Sequence, residues 1–452
     1  MSAKMIAAQQ VVERVLAASQ AEDVVVLVSD GSEASLRWAG NSMTTNGLSS
    51  GRTWTVVSFF GPRVGSVSST SVDPDDIEAV VRASEAAARA AEPAADAMAL
   101  LDGGADGDWE APAEATDIDV FAGVAADLAR GFDGADQLYG FAHHTLSTMW
   151  LGASTGTRRR FVQPTGSIEI NAKRAGASGW AGAGTTDFTD VRTDALLAEL
   201  NTRLAWAAKK IELPAGRYET LLPPSAVADL MIYLMWTMEG RPAAEGHTAL
   251  SRPGGTRVGE RLTELPLTLY SDPAAPGLQT PTFVATGGSS DSVSVFDNGM
   301  AIERVDWVRA GEVNALQYPR AAAQEFGAPV AAPGANLLMS GGTDVTLDEM
   351  VADTERGLLL TCLWYIREVD PATLLLTGLT RDGVYLVEDG RVTGEVNNFR
   401  FNESPLDLLR RVTEAGAGER TLPREWKDWF TRTAMPPLRI PDFHMSSVSQ
   451  AT

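Results

Sequence analysis

The stretch Gly357–Ser404, GLLLTCLWYIREVDPATLLLTGLTRDGVYLVEDGRVTGEVNNFRFNES, constrains the fold more than any other part of the chain. Its apolar runs Leu358–Ile366, Leu374–Thr380, Val384–Val387 and Val392–Val396 are separated by Asp370-Pro371, Arg381-Asp382-Gly383 and Glu388-Asp389-Gly390. Those separators are turn chemistries, so the pattern predicts successive hairpins in a strand-rich unit. More strands are expected at Leu267–Tyr270, Thr282–Ala285, Ser292–Phe296 and Met300–Val308, with helices at Ser225–Met238, Thr346–Thr354 and Leu406–Ala415. The tail from Trp426 to Thr452, with MPPLRIP at its centre, reads as irregular chain draped over a surface.

The first half has a different texture. Met5, Val12, Val15 and Leu16 recur at helical spacing among polar residues, which predicts an amphipathic domain helix and not a secretory signal. Val24–Val28, Thr53–Phe60 and Arg63–Ser71 read as a meander of strands. Asp73-Pro74 then offers an N-cap with Pro at the first helical position, and the Ala-rich helix it opens should run to about Ala91, before Pro93. A surface loop over Leu101–Asp119, a helix over Val120–Arg130, strands through Gln137–Phe188 and a helix over Val191–Lys210 complete this half. The expected whole is an α+β chain of two domains, residues 1–215 an α/β meander with long helices and residues 216–452 strand-rich and barrel-like, divided near Pro214-Ala215-Gly216.

The NNFRFNES segment that ends the hairpin region resembles the carboxyl-terminal region of the TldD/PmbA family, a group also called modulators of DNA gyrase. LRWAGNSMTTNG (Leu36–Gly47) and VGSVSSTSVDPDDIEAVVRASEAAARAAEP resemble that family's opening strands and helix. PPSAVADLM (Pro223–Met231), Val258-Gly259-Glu260 and LYSDPAAPG (Leu269–Gly277) resemble the segments around its metal-binding helix. The resemblance implies a His-Glu-x-x-x-His helix in active TldD-type members, whose two imidazoles would hold zinc while the Glu activates its water. This chain offers Met235-Trp236-Thr237-Met238-Glu239-Gly240 at that place. It is therefore similar to the PmbA (TldE) branch, which lacks the metal motif.

The histidines bear on the same point, for there are only four: His143, His144, His247 and His444. Neighbours on a strand or helix point in different directions, so His143 and His144 do not easily share one metal. His247 has Ala243 and Ser251 where helical partners would stand, leaving Glu239, Glu245 and His247 as weak candidates for a catalytic site and His247 alone as a weak metal ligand. No cofactor is expected in this chain. Zinc is expected in a TldD-like partner subunit.

Charge and cysteine content narrow the function classes. With 37 basic and 59 acidic side chains the formal charge is −22, which repels nucleic-acid backbones and anionic membrane surfaces. No apolar run approaches a bilayer-spanning length, and the one cysteine, Cys362, excludes internal disulfides, so the cytoplasm is the expected location. Cys362 lies in an apolar run, where a lone cysteine is a small buried hydrophobe more readily than a nucleophile.

Other motifs have plainer readings. Gly152-Ala153-Ser154-Thr155-Gly156 matches a nucleophile elbow, but a strand follows it where a helix is needed, so a hairpin turn is expected. Gly179–Gly184 has dinucleotide-loop glycines but opens no helix. Arg158–Arg160 reads as a solvated strand face before an anion site, and Ser340-Gly341-Gly342-Thr343 as a helix-leading turn before an amide nest.

Two function classes follow. In the first, the chain is a non-catalytic subunit paired with a TldD-like metallopeptidase, as heterodimer or homodimer, around a peptide substrate, with Trp364 and Tyr365 as interface anchors. In the second it is a stand-alone hydrolase of the family with an unannounced site, or a peptide-binding or assembly module.

Overall fold

The computed structural model describes residues 6–134 and 136–450. Met5, the first residue of the expected amphipathic stripe, lies outside them. The helix itself is α1 (Ala8–Ala18), and its Val11, Val12 and Val15 are buried.

The first sheet is wholly antiparallel. Its strands are β1 (Asp23–Trp38), β2 (Met43–Phe60), β3 (Arg63–Ser69), β4 (Gln137–Ala153), β5 (Arg158–Arg174) and β6 (Ala177–Thr185), in the order β3-β2-β1-β4-β5-β6. Helices α2 (Ile77–Ala90), α3 (Ala122–Phe132) and α4 (Thr193–Trp206) join α1 on one face, where Val24, Val26, Val28, Ala34, Leu36 and Trp38 point inward with the period of two that strands impose. The Asp73 carboxylate accepts the Asp75 N–H and starts the helical segment that becomes α2, as the Asp-Pro pair predicts. A Cβ at Gly65 of β3 would stand 2.2 Å from the Ala88 nitrogen of α2, so the helix is seated directly on glycine backbone. Gly65→Ala should cost about 3 kcal/mol, the upper end of overpacking penalties because the obstacle is backbone, and a lowered urea midpoint would register it.

Besides a two-stranded ribbon of Ser251–Arg252 and Gly255–Thr256, the second half holds two more sheets. One is an open ten-stranded sheet whose order runs Leu363–Asp370, Leu375–Thr380, Phe399–Glu403, Leu438–Val448, Gly216–Leu222, Arg356–Leu360, Val384–Glu388, Arg391–Val396, Lys210–Ile211, with Glu414–Ala415 beside Leu438–Val448. The other has six short strands, including Thr268–Ser271, Val305–Arg309 and Leu337–Ser340. Helix α5 (Pro224–Trp236) is packed among residues of both. The fold is α+β, as the sequence predicts.

Four expectations need correction. The carboxyl-terminal half is not a closed barrel: its outer strands, Leu363–Asp370 and the two-residue Lys210–Ile211, do not pair with each other. The run Leu358–Ile366 is not one strand but two, broken at Thr361-Cys362 and assigned to separate places in the sheet. Consequently Arg381-Asp382-Gly383 joins no hairpin, whereas the turns at Asp370-Pro371 and Glu388-Asp389-Gly390 do. Thr282–Ala285 and Ser292–Phe296 form no strands: the Ser294 hydroxyl caps a short 3-10 turn and the Asn298 amide pins the Thr286 carbonyl and N–H. The tail is not irregular, since Leu438–Val448 lies within the ten-stranded sheet, where Leu438 to Met445 pair with Gly216–Leu222.

The sheets share a core. Leu358 and Leu360 face α5, while Leu359, Tyr385 and Val387 face α4 and the first sheet, with the Trp206 and Tyr385 rings 5.2 Å apart edge to face. A sheet buried on both faces explains why its strands read as unbroken apolar runs. Among the described residues, no helix is long and apolar enough to cross a membrane.

Candidate functional site

Helix α5 is buried on every side except near Ser225 and Trp236, which is unusual for a helix and marks it as the spine of the second half. Pro224 opens it at a position where the missing N–H costs nothing. In its middle stands Asp229, fully buried, whose carboxylate accepts the backbone N–H groups of Arg424, Glu425 and Trp426. Burial outweighs those three donors and pushes its pKa up to about 8. The segment 424–426 is thereby tied to the helix. Trp426 completes an edge-to-face cluster with Tyr233 and Trp236, centroid separations being 4.7 to 5.4 Å.

Beyond α5 the chain straightens. The Gly240 N–H donates to the Gln317 carbonyl and the Gln317 N–H to that of Met238, a parallel bridge that presents Glu239. Helix α6 (Gly240–Ala244) follows, and a Cβ at Gly240 would fall 2.1 Å from the Tyr318 ring. The Ser292 hydroxyl donates to Glu239 at 2.6 Å. Arg241 lies 3.3 Å from Glu245 and also pairs with Glu325. Nδ1 of His247 is 3.7 Å from Glu245, but the imidazole is 68% exposed. Thus Glu245 and His247 meet at the surface, while Glu239 is held by Ser292, whose neighbour Asp291 lies 3.8 Å from Arg241.

A zinc ion of the kind the resemblance implies does not fit these residues. The stretch that the resemblance sets against its motif holds Met235, which is buried, Trp236 and Thr237, and Gly240 under the Tyr318 ring. Among the described residues, no group of three or more His, Cys, Asp or Glu side chains is gathered so as to hold a metal. His143 pairs with Glu33 at 3.1 Å, whereas His144 is wedged between the Thr116 hydroxyl and the Thr186 carbonyl, so the adjacent imidazoles do point apart. Beside α6 a groove of about 530 Å³ is lined by Ala244, Val258, Leu316, Tyr318 and Phe326, which supplies shape and apolar surface but neither a base nor an activated nucleophile.

The remaining motifs settle as structure. Gly152–Gly156 is the β4–β5 turn, and Gly179–Gly184 lies inside β6. Burial pushes the Cys362 thiol up to about 12, so it carries no thiolate. Arg158 pairs with Glu13, Arg159 with Asp106 and Arg160 with Asp108; Arg160 is itself buried, so this is neither a solvated face nor an open anion site. At Ser340–Thr343 the Thr343 N–H donates to the Ala415 carbonyl, and the glycines lie against the Pro266 and Gly416 carbonyls, which closes the nest.

Sequence reasoning missed the Asp229 clamp. Its signal was present, an acid inside the apolar helix of PPSAVADLM, but the partners lie nearly two hundred residues away. Next to it stands an exposed aromatic surface. Tyr365 has a positive φ of 57° and is 58% exposed; the following residue is held by Glu425 at its N–H and by the Tyr233 hydroxyl at its carbonyl. The Arg367 guanidinium covers the Tyr365 ring, and Arg424 covers Trp364 at 4.5 Å.

The buried apolar helix α5 stands among residues of both carboxyl-terminal sheets. The chain belongs to the PmbA/TldD family: residues 215–447 match the family model described as PmbA/TldA metallopeptidase C-terminal domain, and residues 24–91 match PmbA/TldA metallopeptidase domain 1. Solved structures agree in fold. TldE from Thermococcus kodakarensis superposes with a TM-score of 0.78 at 14% identity, over 96% of this chain and 99% of that one. A protein from Bacteroides thetaiotaomicron VPI-5482, described as a candidate modulator of DNA gyrase, gives 0.77 at 16% identity over 98% of both chains. Its counterpart from Thermotoga maritima MSB8 gives 0.78 at 13% identity, over 96% of this chain and 99% of that one. No curated protein sequence matches.

Proposed function

We propose that this chain is the non-catalytic, TldE-like subunit of a TldD-type zinc metallopeptidase complex that processes peptides, with zinc residing in the TldD-like partner. The observation that carries this reading is the segment Met235–Gly240, which takes in the last residues of the buried helix α5 and runs past its end at Trp236 without a single imidazole. Packing around α5 preserves what assembly requires. Glu239 is engaged by the Ser292 hydroxyl and Glu245 by Arg241, while His247 is largely exposed, so neither carboxylate stands free to activate a water. The exposed Tyr365, Trp236 and Trp429, gathered about the Asp229-tethered segment, supply anchors of the type that dominate subunit interfaces.

Metal analysis and co-expression test the proposal together. The purified chain should hold less than about 0.1 zinc per molecule, unchanged by His247→Ala, because a stable site needs about three protein ligands. Co-expressed with a homologue bearing the His-Glu-x-x-x-His motif, it should co-purify in a complex that cleaves an unfolded substrate and stops on chelation. Stoichiometric zinc in the chain alone, or chelator-sensitive cleavage by it, would overturn the reading.

A further inference from the structure

Where the first sheet meets the second half of the chain, a cleft of about 700 Å³ opens that no residue of α5 or α6 lines. Its floor is made by the pairing of β4 with β5. Gln137 stands opposite Lys173 and Tyr139 opposite Asn171, so these four side chains share one face of the sheet. Leu138 and Ala172, which alternate with them, turn to the other face and into the core beneath α3 and α4. The wall of the cleft is the connection between Leu375–Thr380 and Val384–Glu388, which carries Arg381 and Asp382.

The single carboxylate among the lining residues is already engaged. Asp382 has a φ of 55°, uncommon for a residue with a side chain, and its carboxylate accepts the Ser178 hydroxyl of β6 and lies 3.5 Å from Nε of Arg381. What remains are donors and positive charge. The Lys173 ammonium lies 5.3 Å from the centroid of the Tyr139 ring, which holds it over the floor, and among the described residues it has no ion pair. Neither the Asn171 side chain nor the amide nitrogen of Gln137 has a hydrogen-bond partner among those residues, and the two terminal nitrogens of Arg381 have none either. Arg174 is a different case, because both oxygens of Asp136 take its fork. Two cations without counter-charge in one cleft stand out in a chain of formal charge −22, where Arg158, Arg159 and Arg160 each find a carboxylate.

We infer that this cleft binds a small organic polyanion, its carboxylate or phosphate groups held between Lys173 and Arg381 with the Asn171 and Gln137 amides donating beside them. Oxyanions match an array of N–H donors, and the volume lies within the ~300–1,000 Å³ of small-molecule sites. The surplus of positive charge excludes a metal cation. A nucleic acid is the poorer occupant, because it is held by a succession of phosphate contacts and this cleft offers two free cations on a chain of negative net charge. Lys173 belongs to the first sheet and Arg381 to the second half, so the bound anion also ties the two together. None of this rests on a role in peptide processing.

The test uses the full chain alone, with sodium pyrophosphate and citrate as separate probes, each titrated calorimetrically at an ionic strength fixed with sodium chloride. At least one should bind saturably, one per chain, with a Kd below about 1 mM, and whichever binds identifies the head group as phosphate or carboxylate. Lys173→Gln and Arg381→Gln, both at exposed positions, should each weaken binding at least about fivefold and together abolish it, whereas Lys173→Arg should stay within about twofold of the wild type. Arg309→Gln, which removes an exposed cation outside the cleft, should change nothing. Saturating anion should slow amide exchange on both sides, at 171–178 and at 381–383. No saturable binding of either probe with a Kd below about 1 mM, binding untouched by the double substitution, or protection confined to one side would overturn the inference.

Discussion

A chain ending at Pro437 is expected not to fold its second half: it should be recovered insoluble, or soluble with the near-ultraviolet dichroism of its packed aromatics lost. Leu438–Val448 lies between Phe399–Glu403 and Gly216–Leu222, so its removal unpairs both neighbours. It also removes Leu438, Ile440, Phe443 and Met445, each no more than 1% exposed. Full burial of such a side chain contributes about 1.5–3 kcal/mol, so the four together approach the ~5–15 kcal/mol that separates a folded domain from its unfolded chain. Arg439 adds to the loss, for its guanidinium pairs with Glu219 and Glu414 and donates to the Thr354 hydroxyl and the Met350 carbonyl. A truncated protein with native dichroism would show that these eleven residues are dispensable.

Asp229 should make stability depend on pH in a direction opposite to that of most carboxylates. Its folded pKa of about 8 lies above the ordinary unfolded value of about 3.9. Between those limits the unfolded chain has released this proton and the folded chain retains it, so stability falls as pH rises. The contribution is complete below about pH 4, is lost progressively through pH 8, and changes no further above it. Comparison with Asp229→Asn, which cannot titrate, isolates the effect: the stability difference between the two should shift against the wild type by as much as ~1.4 kcal/mol per pH unit within the window. Urea denaturation of both proteins at several pH values measures this. Parallel profiles would mean that the three backbone donors, and not burial, govern the carboxyl.

The Leu438–Val448 strand and Asp229 also show where the sequence was and was not legible. The meander, the Asp-Pro start of the Ala-rich helix, the helix opening at Thr346 and the Asp370 and Glu388 turns all rest on contacts between residues close in the chain, and the structure has them. Leu438–Val448 was hidden by its prolines, which argue against an internal strand. Pro437 in fact stands just before the strand, and Pro441 lies in the register shift between Ile440 and Phe443, where the ladder is interrupted in any case. The run Leu358–Ile366 concealed a break because both faces of the sheet are buried there and composition does not change across Thr361-Cys362. At the candidate site the missing imidazoles could be read directly. The clamp from Asp229 to residues 424–426 could not, since nothing local announces which distant amides a buried carboxyl will meet.

The pairing of Gly216–Leu222 with Leu438–Val448 also governs the order in which the chain can fold as it is made. At a synthesis rate of about 5–20 residues per second, roughly 200 intervening residues take some 10–40 seconds to appear. Throughout that interval β1 to β6 can close, because all six strands precede Gly216 in the chain and have already emerged. Helix α5 cannot: it is apolar nearly all round, and the strand that completes its surroundings has not emerged. Nascent chains therefore carry an exposed apolar helix for some tens of seconds, an interval in which aggregation competes with folding.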